Sequence, residues 1–538
     1  MAAGCPVVER TRAELVNPDN LKMFKIKKLI FVLTLFTLTC AWIGVGCTSN
    51  KSRFTGPTST EDPLPPALIA DLEAYVQKVM KRNDVPGLAM VLVHGGQIVY
   101  NQGFGVRDLG TRETVTTETL FGIGSSTKPM TAVMIASLVD EGLVAWDTKA
   151  TEILPDFALS NPSATEKVTL EHTLCMCTGV PRQMEEISVQ YDEVTPEDIL
   201  ESLAEIPLSG AFGNRFNYSS RMLAAGGYLA ALAVGSTYGQ LGQGYANLMQ
   251  EQLLDPLGMT ASTFSIEEAI VSGNYATPHY SSLSGLEAIP PEIEGIFTPI
   301  APAGAMWSNT EDMAKFLVTM LNGGVAPNGE RVVSELNLAY LWEPRVAVDD
   351  TIQYGLGWHV EDYHGLTIYH HPGGTVGFSA ELVVIPELKV GFALLTNQLD
   401  QVAPTGRMAT YRLLEMLTGE EQVYDQEIRA ATRSIRWQVF QLSLVTRKKV
   451  NPQRITPFLG TYHNEILGKV DLRLHEDNTL WVDFGEYESS VRPLILEDNQ
   501  YIFFESVFIG KLITLNMDAN ENPRMRWAGD EATYYFTR

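Results

Sequence analysis

Apolar residues Leu68, Ile69, Leu72, Tyr75, Val76 and Val79 recur at helical spacing until Asn83-Asp-Val-Pro-Gly87 stops them, which predicts a helix starting at about residue 67. Two β-rich runs follow at 88–93 and 97–100, joined by His94-Gly-Gly, and read as a hairpin. Far downstream, 378–385 and 390–396 flank Pro386-Glu387 and read as a second antiparallel pair. Between the pairs the chain is mostly helical. Thr195-Pro-Glu-Asp198, for example, offers an N-cap, a proline at the first helical position and an acid at the third. Strands at both ends with helices between them predict an α+β fold, in which one antiparallel sheet is assembled from distant segments, flanked by helices and interrupted by a helical insertion.

The pattern changes after about residue 425. A stretch carrying Arg429, Arg433, Arg436, Arg447, Lys448 and Lys449 predicts a connecting helix within 426–455. Beyond it Val470, Leu472, Leu474, Leu480, Val482 and Phe484 alternate on either side of a turn at Glu476-Asp-Asn478, the period of half-buried strands. The expected organisation is a main domain over 67–425, the connector, and a β-rich domain over 456–538.

The amino terminus has a different character. Met23-Phe-Lys-Ile-Lys-Lys leads into eighteen uncharged residues, 29–46, that end at Gly44-Val-Gly-Cys47. A basic head, an apolar middle and small residues before a cysteine make a bacterial lipoprotein signal, with Cys47 as the lipid attachment point. An uncleaved single-span anchor is the alternative. Residues 1–22 have no place in such a signal, which points to translation starting at Met23. Residues 1–46 are thus expected to be a leader and 47–66, rich in Ser, Thr and Pro, a tether. Everything after Cys47 is expected on the periplasmic side of the envelope, anchored to the membrane.

Composition narrows the partners. The chain has 538 residues, 45% hydrophobic and 19% charged, a profile of folded domains rather than disorder. Its 39 basic against 64 acidic residues leave a formal charge of −25, which repels phosphate backbones, so nucleic acid is not an expected partner. Five cysteines (Cys5, Cys40, Cys47, Cys175, Cys177) are too few for a disulfide scaffold, and Cys175 and Cys177 stand too close in sequence to bridge without strain. No Cys/His cluster or HExxH has metal-binding spacing, so neither a metal nor another cofactor is expected.

The most informative stretch is Phe121-Gly-Ile-Gly-Ser125-Ser-Thr-Lys128-Pro-Met. Val133, Met134, Leu138 and Val139 continue at helical spacing to Gly142, so Ser125 opens a helix, and three residues along it Lys128 shares its face. A hydroxyl at a helix N-terminus beside an ammonium is a candidate activated nucleophile. Thr127 stands where a Walker A loop needs glycine, and there is no G-x-S-x-G elbow.

This stretch resembles the first motif of the serine β-lactamase and penicillin-binding superfamily, specifically its class C β-lactamase-like esterase and peptidase branch. Phe216-Asn-Tyr218-Ser-Ser220 resembles the second, Y-x-N motif, and His371-Pro-Gly373-Gly374-Thr the third, usually K-[ST]-G and often H-x-G in esterases. Asp255-Pro-Leu-Gly-Met259, Ala303-Gly304 and Tyr354-Gly-Leu-Gly-Trp358 agree, and the resemblance covers about 67–425. It implies acylation of Ser125, with Tyr218 as general base if the Lys128 ammonium lowers its pKa, an oxyanion hole formed by the N–H groups of Ser125 and Gly374, and no metal. His371 joins this group, with Gly373 and Ser220 lining the substrate. Ser220 replaces the family's amide-touching asparagine, and His371, mostly neutral at pH 7, replaces a carboxylate-holding lysine; both changes favour esters or uncharged substrates. His370 is expected to be structural or exposed, and Cys175 and Cys177 to pack near the site. The C-terminal part resembles the small β-barrel-like modules appended to such hydrolases.

The expected activity is that of an envelope-anchored carboxylesterase acting on small-molecule esters or amides. The alternatives are a D-amino-acid peptidase or penicillin-recognising enzyme, and a ligand-binding lipoprotein without turnover.

Overall fold

The computed structural model describes residues 63–182, 194–282, 285–399, 404–464, 467–485, 488–495, 497, 499–503, 510–529 and 533–538. The leader, Cys47 and nearly all of the tether lie outside them. Among the described residues no helix is long and apolar enough to cross a membrane.

In chain order, helix α1 (Pro66–Arg82) precedes strands β1 (Gly87–His94) and β2 (Gln97–Gly105). Helices α2 (Thr127–Asp140) and α3 (Ser220–Ala233) belong to the long insertion. Strands β3 (Val346–Ala347), β4 (Ile352–Tyr354), β5 (His359–Tyr363), β6 (Leu366–Gly374), β7 (Ser379–Ile385) and β8 (Val390–Thr396) follow, then helices α4 (Thr405–Thr418) and α5 (Tyr424–Leu444). These eight strands form one sheet in the order β2-β1-β8-β7-β6-β5-β4-β3, with every neighbouring pair antiparallel. The N-terminal hairpin therefore docks against the last strand, with Leu88 opposite Thr396 and His94 opposite Val390.

Strand β1 is buried along its whole length, because its two faces serve two cores. Leu88, Met90 and Leu92 pack with Leu72 and Val76 of α1 and Leu413 and Leu414 of α4. Ala89, Val91 and Val93 face the main core with Met134 of α2 and the helices of the insertion. An unbroken apolar run with alternating Cβ directions suits such a strand. The β1–β2 turn takes positive φ at both Gly95 (58°) and Gly96 (77°), which explains why two glycines stand there. Thr195 and Asp198 form the expected capping box.

Helix α5 links the two ends of the molecule. Its Asp425 accepts from Tyr75 Oη and Arg82 Nη1 of α1, each at 3.0 Å, and beyond its last turn the Val445 carbonyl accepts from Ile495 N at 2.8 Å. The chain then closes an eight-stranded barrel from β9 (Gly460–Asn464) through β10 (Gly468–Leu474), β11 (Leu480–Asp483), β12 (Glu488–Pro493), β13 (Gln500–Phe503), β14 (Leu512–Met517) and β15 (Pro523–Ala528) to β16 (Thr533–Thr537). Alternate residues, among them Val470, Leu472, Leu480, Val482, Phe503, Trp527 and Phe536, fill its interior, as side chains do in barrels of this size. The fold is thus mixed helix and antiparallel sheet with a separate closed barrel.

Candidate active site

The site assembles where α2, α3 and β6 meet. Ser125 lies in a 3-10 turn, Gly124–Ser126, one step ahead of α2 rather than within it. Gly124 takes φ +51°, and a Cβ there would stand 2.7 Å from the backbone nitrogen of Gly374. A Cβ on Gly373 would stand 1.9 Å from the Ile123 carbonyl oxygen. Only glycines let these two backbone segments touch, and the contact brings the Gly374 segment alongside Ser125. Ser126 Oγ fastens it by donating to the His371 carbonyl at 2.9 Å.

Three residues along the helix, Lys128 is fully buried and its Nζ donates to Ser125 Oγ at 2.9 Å and to the Ala303 carbonyl at 2.7 Å. From the other side, Tyr218 Oη lies 2.9 Å from Ser125 Oγ. Burial would push the Tyr218 phenol up, but the Lys128 ammonium and the hydrogen bonds from Lys128 and Ser125 outweigh it, and its pKa falls below the ordinary tyrosine value. Burial likewise lowers the Lys128 ammonium, against the pull of Tyr218.

Tyr218 is held by the segment behind it. Cys175 and Cys177 form a disulfide with their Cα atoms 5.2 Å apart, a separation in the ordinary range. This corrects the expectation that the two merely pack. Met176 between them turns the chain with φ +53°, and the Met176 and Cys177 carbonyls accept from Asn217 N and Gly213 N, both at 2.7 Å. Ser219 caps α3 by accepting from Met222 N. Ser220, the first residue of α3, is 9% exposed, and its hydroxyl takes no protein partner among the described residues.

His371 differs from expectation. Its ring is buried, with Nδ1 2.8 Å from the Pro372 carbonyl and Nε2 3.1 Å from Tyr354 Oη. The geometry calls for an Nδ1–H donor and a neutral Nε2 acceptor. Burial, reinforced by Lys128, holds its pKa well below the usual value. Both nitrogens are thus occupied, and the imidazole braces Tyr354 while its ring centre lies 6.3 Å from that of Tyr218. His370, one residue earlier, points to the opposite sheet face, where its Nε2 lies 3.2 Å from Glu361 Oε2 and Arg407 completes the network.

Two nearby residues carry no motif. Arg182, exposed, sits with its guanidinium carbon 5.5 Å from the Tyr218 ring centre. Glu294 is buried and accepts from Thr375 Oγ1 at 2.9 Å and Gly377 N at 3.0 Å, clamping the loop after Gly374, while its Oε2 has no hydrogen-bond partner among the described residues. Burial pushes the Glu294 carboxyl up to about 7 from the ordinary 4.5, and buried Glu381 behaves likewise. From pH 4.5 to 7 the unfolded chain loses protons that the folded chain keeps, so stability falls as pH rises through that window. Each group accounts for about 3 kcal/mol at most. Glu294→Gln is expected to remove its share and flatten the slope, as denaturant unfolding between pH 5 and 8 will show. Among the described residues no cluster of His, Cys, Asp and Glu could hold a metal ion.

A family model described as Beta-lactamase matches residues 72–416, more than half of the chain and a span that contains Ser125, Lys128, Tyr218 and His371. Unguisins hydrolase ungD' of Aspergillus campestris is 32% identical over 360 residues, 63% of each chain, so the match spans less than two thirds of that relative. Penicillin-binding protein 4 of Amycolatopsis lactamdurans is 27% identical over 318 residues, 58% of this chain and 81% of the relative. The octameric penicillin-binding protein homologue from Pyrococcus abyssi shares the fold, with a TM-score of 0.57 at 22% identity over 87% of this chain and 100% of the other. The family match over more than half of the chain, with a serine, lysine and tyrosine joined at one oxygen within its span, places the chain in the beta-lactamase family of the serine hydrolase and penicillin-binding superfamily.

Proposed function

We propose that the protein is a serine hydrolase that works through an acyl-enzyme on Ser125, and that its substrates are small carboxylic esters. The observation that carries this reading is the convergence of Lys128 Nζ and Tyr218 Oη on Ser125 Oγ, each at 2.9 Å. Tyr218, its phenol made more acidic by Lys128, takes the hydroxyl proton as Ser125 attacks the carbonyl carbon. Charge building on the carbonyl oxygen is received by the backbone N–H groups of Ser125 and Gly374. The proton passes from Tyr218 to the leaving oxygen, and water then releases the acid from Ser125. Esters are favoured over amides because Ser220 replaces the asparagine that contacts the substrate amide in relatives of this type. A fluorophosphonate probe together with short p-nitrophenyl esters tests the reading: Ser125 should label and the esters should turn over. An unlabelled, inert protein would favour ligand binding without turnover. The likeness to penicillin-binding protein 4 supports a peptidase or penicillin-recognising activity as the second reading, which preferential turnover of nitrocefin or D-amino-acid peptides would promote.

The envelope location belongs to the same proposal and rests on Gly44-Val-Gly-Cys47 after the basic and apolar segments. Radiolabelled palmitate is expected to mark the full chain in a bacterial host and to fail after Cys47→Ala. Wild type that keeps residues 29–46 and carries no lipid would instead be a single-span anchor.

A further inference from the structure

The cations around Ser125 are not equivalent. Lys128 is fully buried and already donates to Ser125 and Ala303. His371 is buried and neutral, with both nitrogens occupied. Arg182 is exposed, lies 5.5 Å from the Tyr218 ring centre, and has no carboxylate partner among the described residues. Its situation contrasts with Arg82, Arg345, Arg407, Arg412 and Arg473, each ion-paired to an acid in this strongly acidic chain. The base of Arg182 is also fixed. Val180 and Pro181 before it are buried, and the Gly179 carbonyl accepts from Ser209 N at 2.8 Å. Stacking on an aromatic face leaves the N–H edges of a guanidinium available to a planar, bidentate acceptor.

We propose that Arg182 binds a carboxylate on the substrate, so that the site takes esters bearing a second, anionic carboxyl group close to the reacting carbonyl. This rests on the serine hydrolase reading and replaces the preference for uncharged substrates that His371 suggested. The carboxylate needs the local cation all the more because the chain as a whole, at −25, repels anions.

The test compares kcat/KM of the full chain for p-nitrophenyl butyrate and the mono-p-nitrophenyl ester of glutaric acid. A second pair, phenyl acetate and 3-acetoxybenzoate, places the carboxylate on the leaving side. In at least one pair wild type should prefer the anionic ester. Arg182→Gln should cut that preference about tenfold, the scale of one charge-assisted hydrogen bond in a partly exposed site. Arg182→Lys should keep part of it, and Arg182→Glu should reverse it. Added salt should erode the preference in wild type and leave the glutamine variant unmoved. The ratio within a pair cancels any effect of Arg182 on Tyr218, which a purely positioning role would spread equally over both esters. Neutral esters preferred in both pairs, or ratios indifferent to Arg182, overturn the proposal while labelling of Ser125 upholds the hydrolase reading. A protein that neither labels nor turns over any ester overturns both.

Discussion

Ser125→Ala is expected to lower ester turnover by about 10^4- to 10^6-fold, the scale on which nucleophiles that act as part of a unit fail when removed. The same change should leave stability within about 1 kcal/mol of wild type. Lys128 keeps the Ala303 carbonyl as acceptor, and only a partly buried hydroxyl is lost. Activity against p-nitrophenyl esters and the thermal transition measured on one preparation separate the two effects. Retained turnover would locate the nucleophile elsewhere.

Tyr218→Phe is expected to cost about 10^2- to 10^4-fold, the usual contribution of a general base. Its signature lies in the pH profile. The Tyr218 pKa is below the ordinary phenol value, so the basic form accumulates as pH rises through that lowered value and kcat/KM climbs with it. The phenylalanine variant lacks this rising limb and should give a low, flatter profile on the same substrate. A mutant that retains the limb would assign it to another group. Because Ser125 Oγ keeps its Lys128 contact, fluorophosphonate labelling should be slowed rather than abolished.

Much of this was written in the chain, for identifiable reasons. The helix ahead of the first hairpin, the two strand pairs and the alternating segments of the barrel are set by local periodicity, which is legible wherever one face is buried. Ser125 and Lys128 stood out as a hydroxyl and an ammonium on one helix face, and Tyr218 only through the resemblance of its segment to the second motif of the superfamily. The side-chain partners of His371 were not, since a strand position fixes which face a ring takes and says nothing of Tyr354 reaching it from β4. The Cys175–Cys177 bridge escaped because spacing alone does not reveal the left-handed turn at Met176. Glu294 and Arg182 carry no motif; one is the second of two acids in a proline-flanked 3-10 stretch and the other follows a buried Val-Pro pair, and only the fold brings them beside the loop after β6 and Tyr218. The carbonyl that holds Lys128 sits in Ala303-Gly304, a stretch that stood out in the sequence without its role being visible.

The pairing of β1 with β8 also governs when the protein can fold. Leu88 meets Thr396, so the hairpin, complete at Gly105, must wait for nearly three hundred further residues before its inner edge is covered. At about 5–20 residues per second, synthesis of that interval takes roughly 15 to 60 s. For all of it an apolar strand such as Gly87–His94, buried on both faces in the finished sheet, has no partner on that edge. Closing so long a loop makes the sheet slow to complete and leaves the edge of the first strand open until the last one arrives.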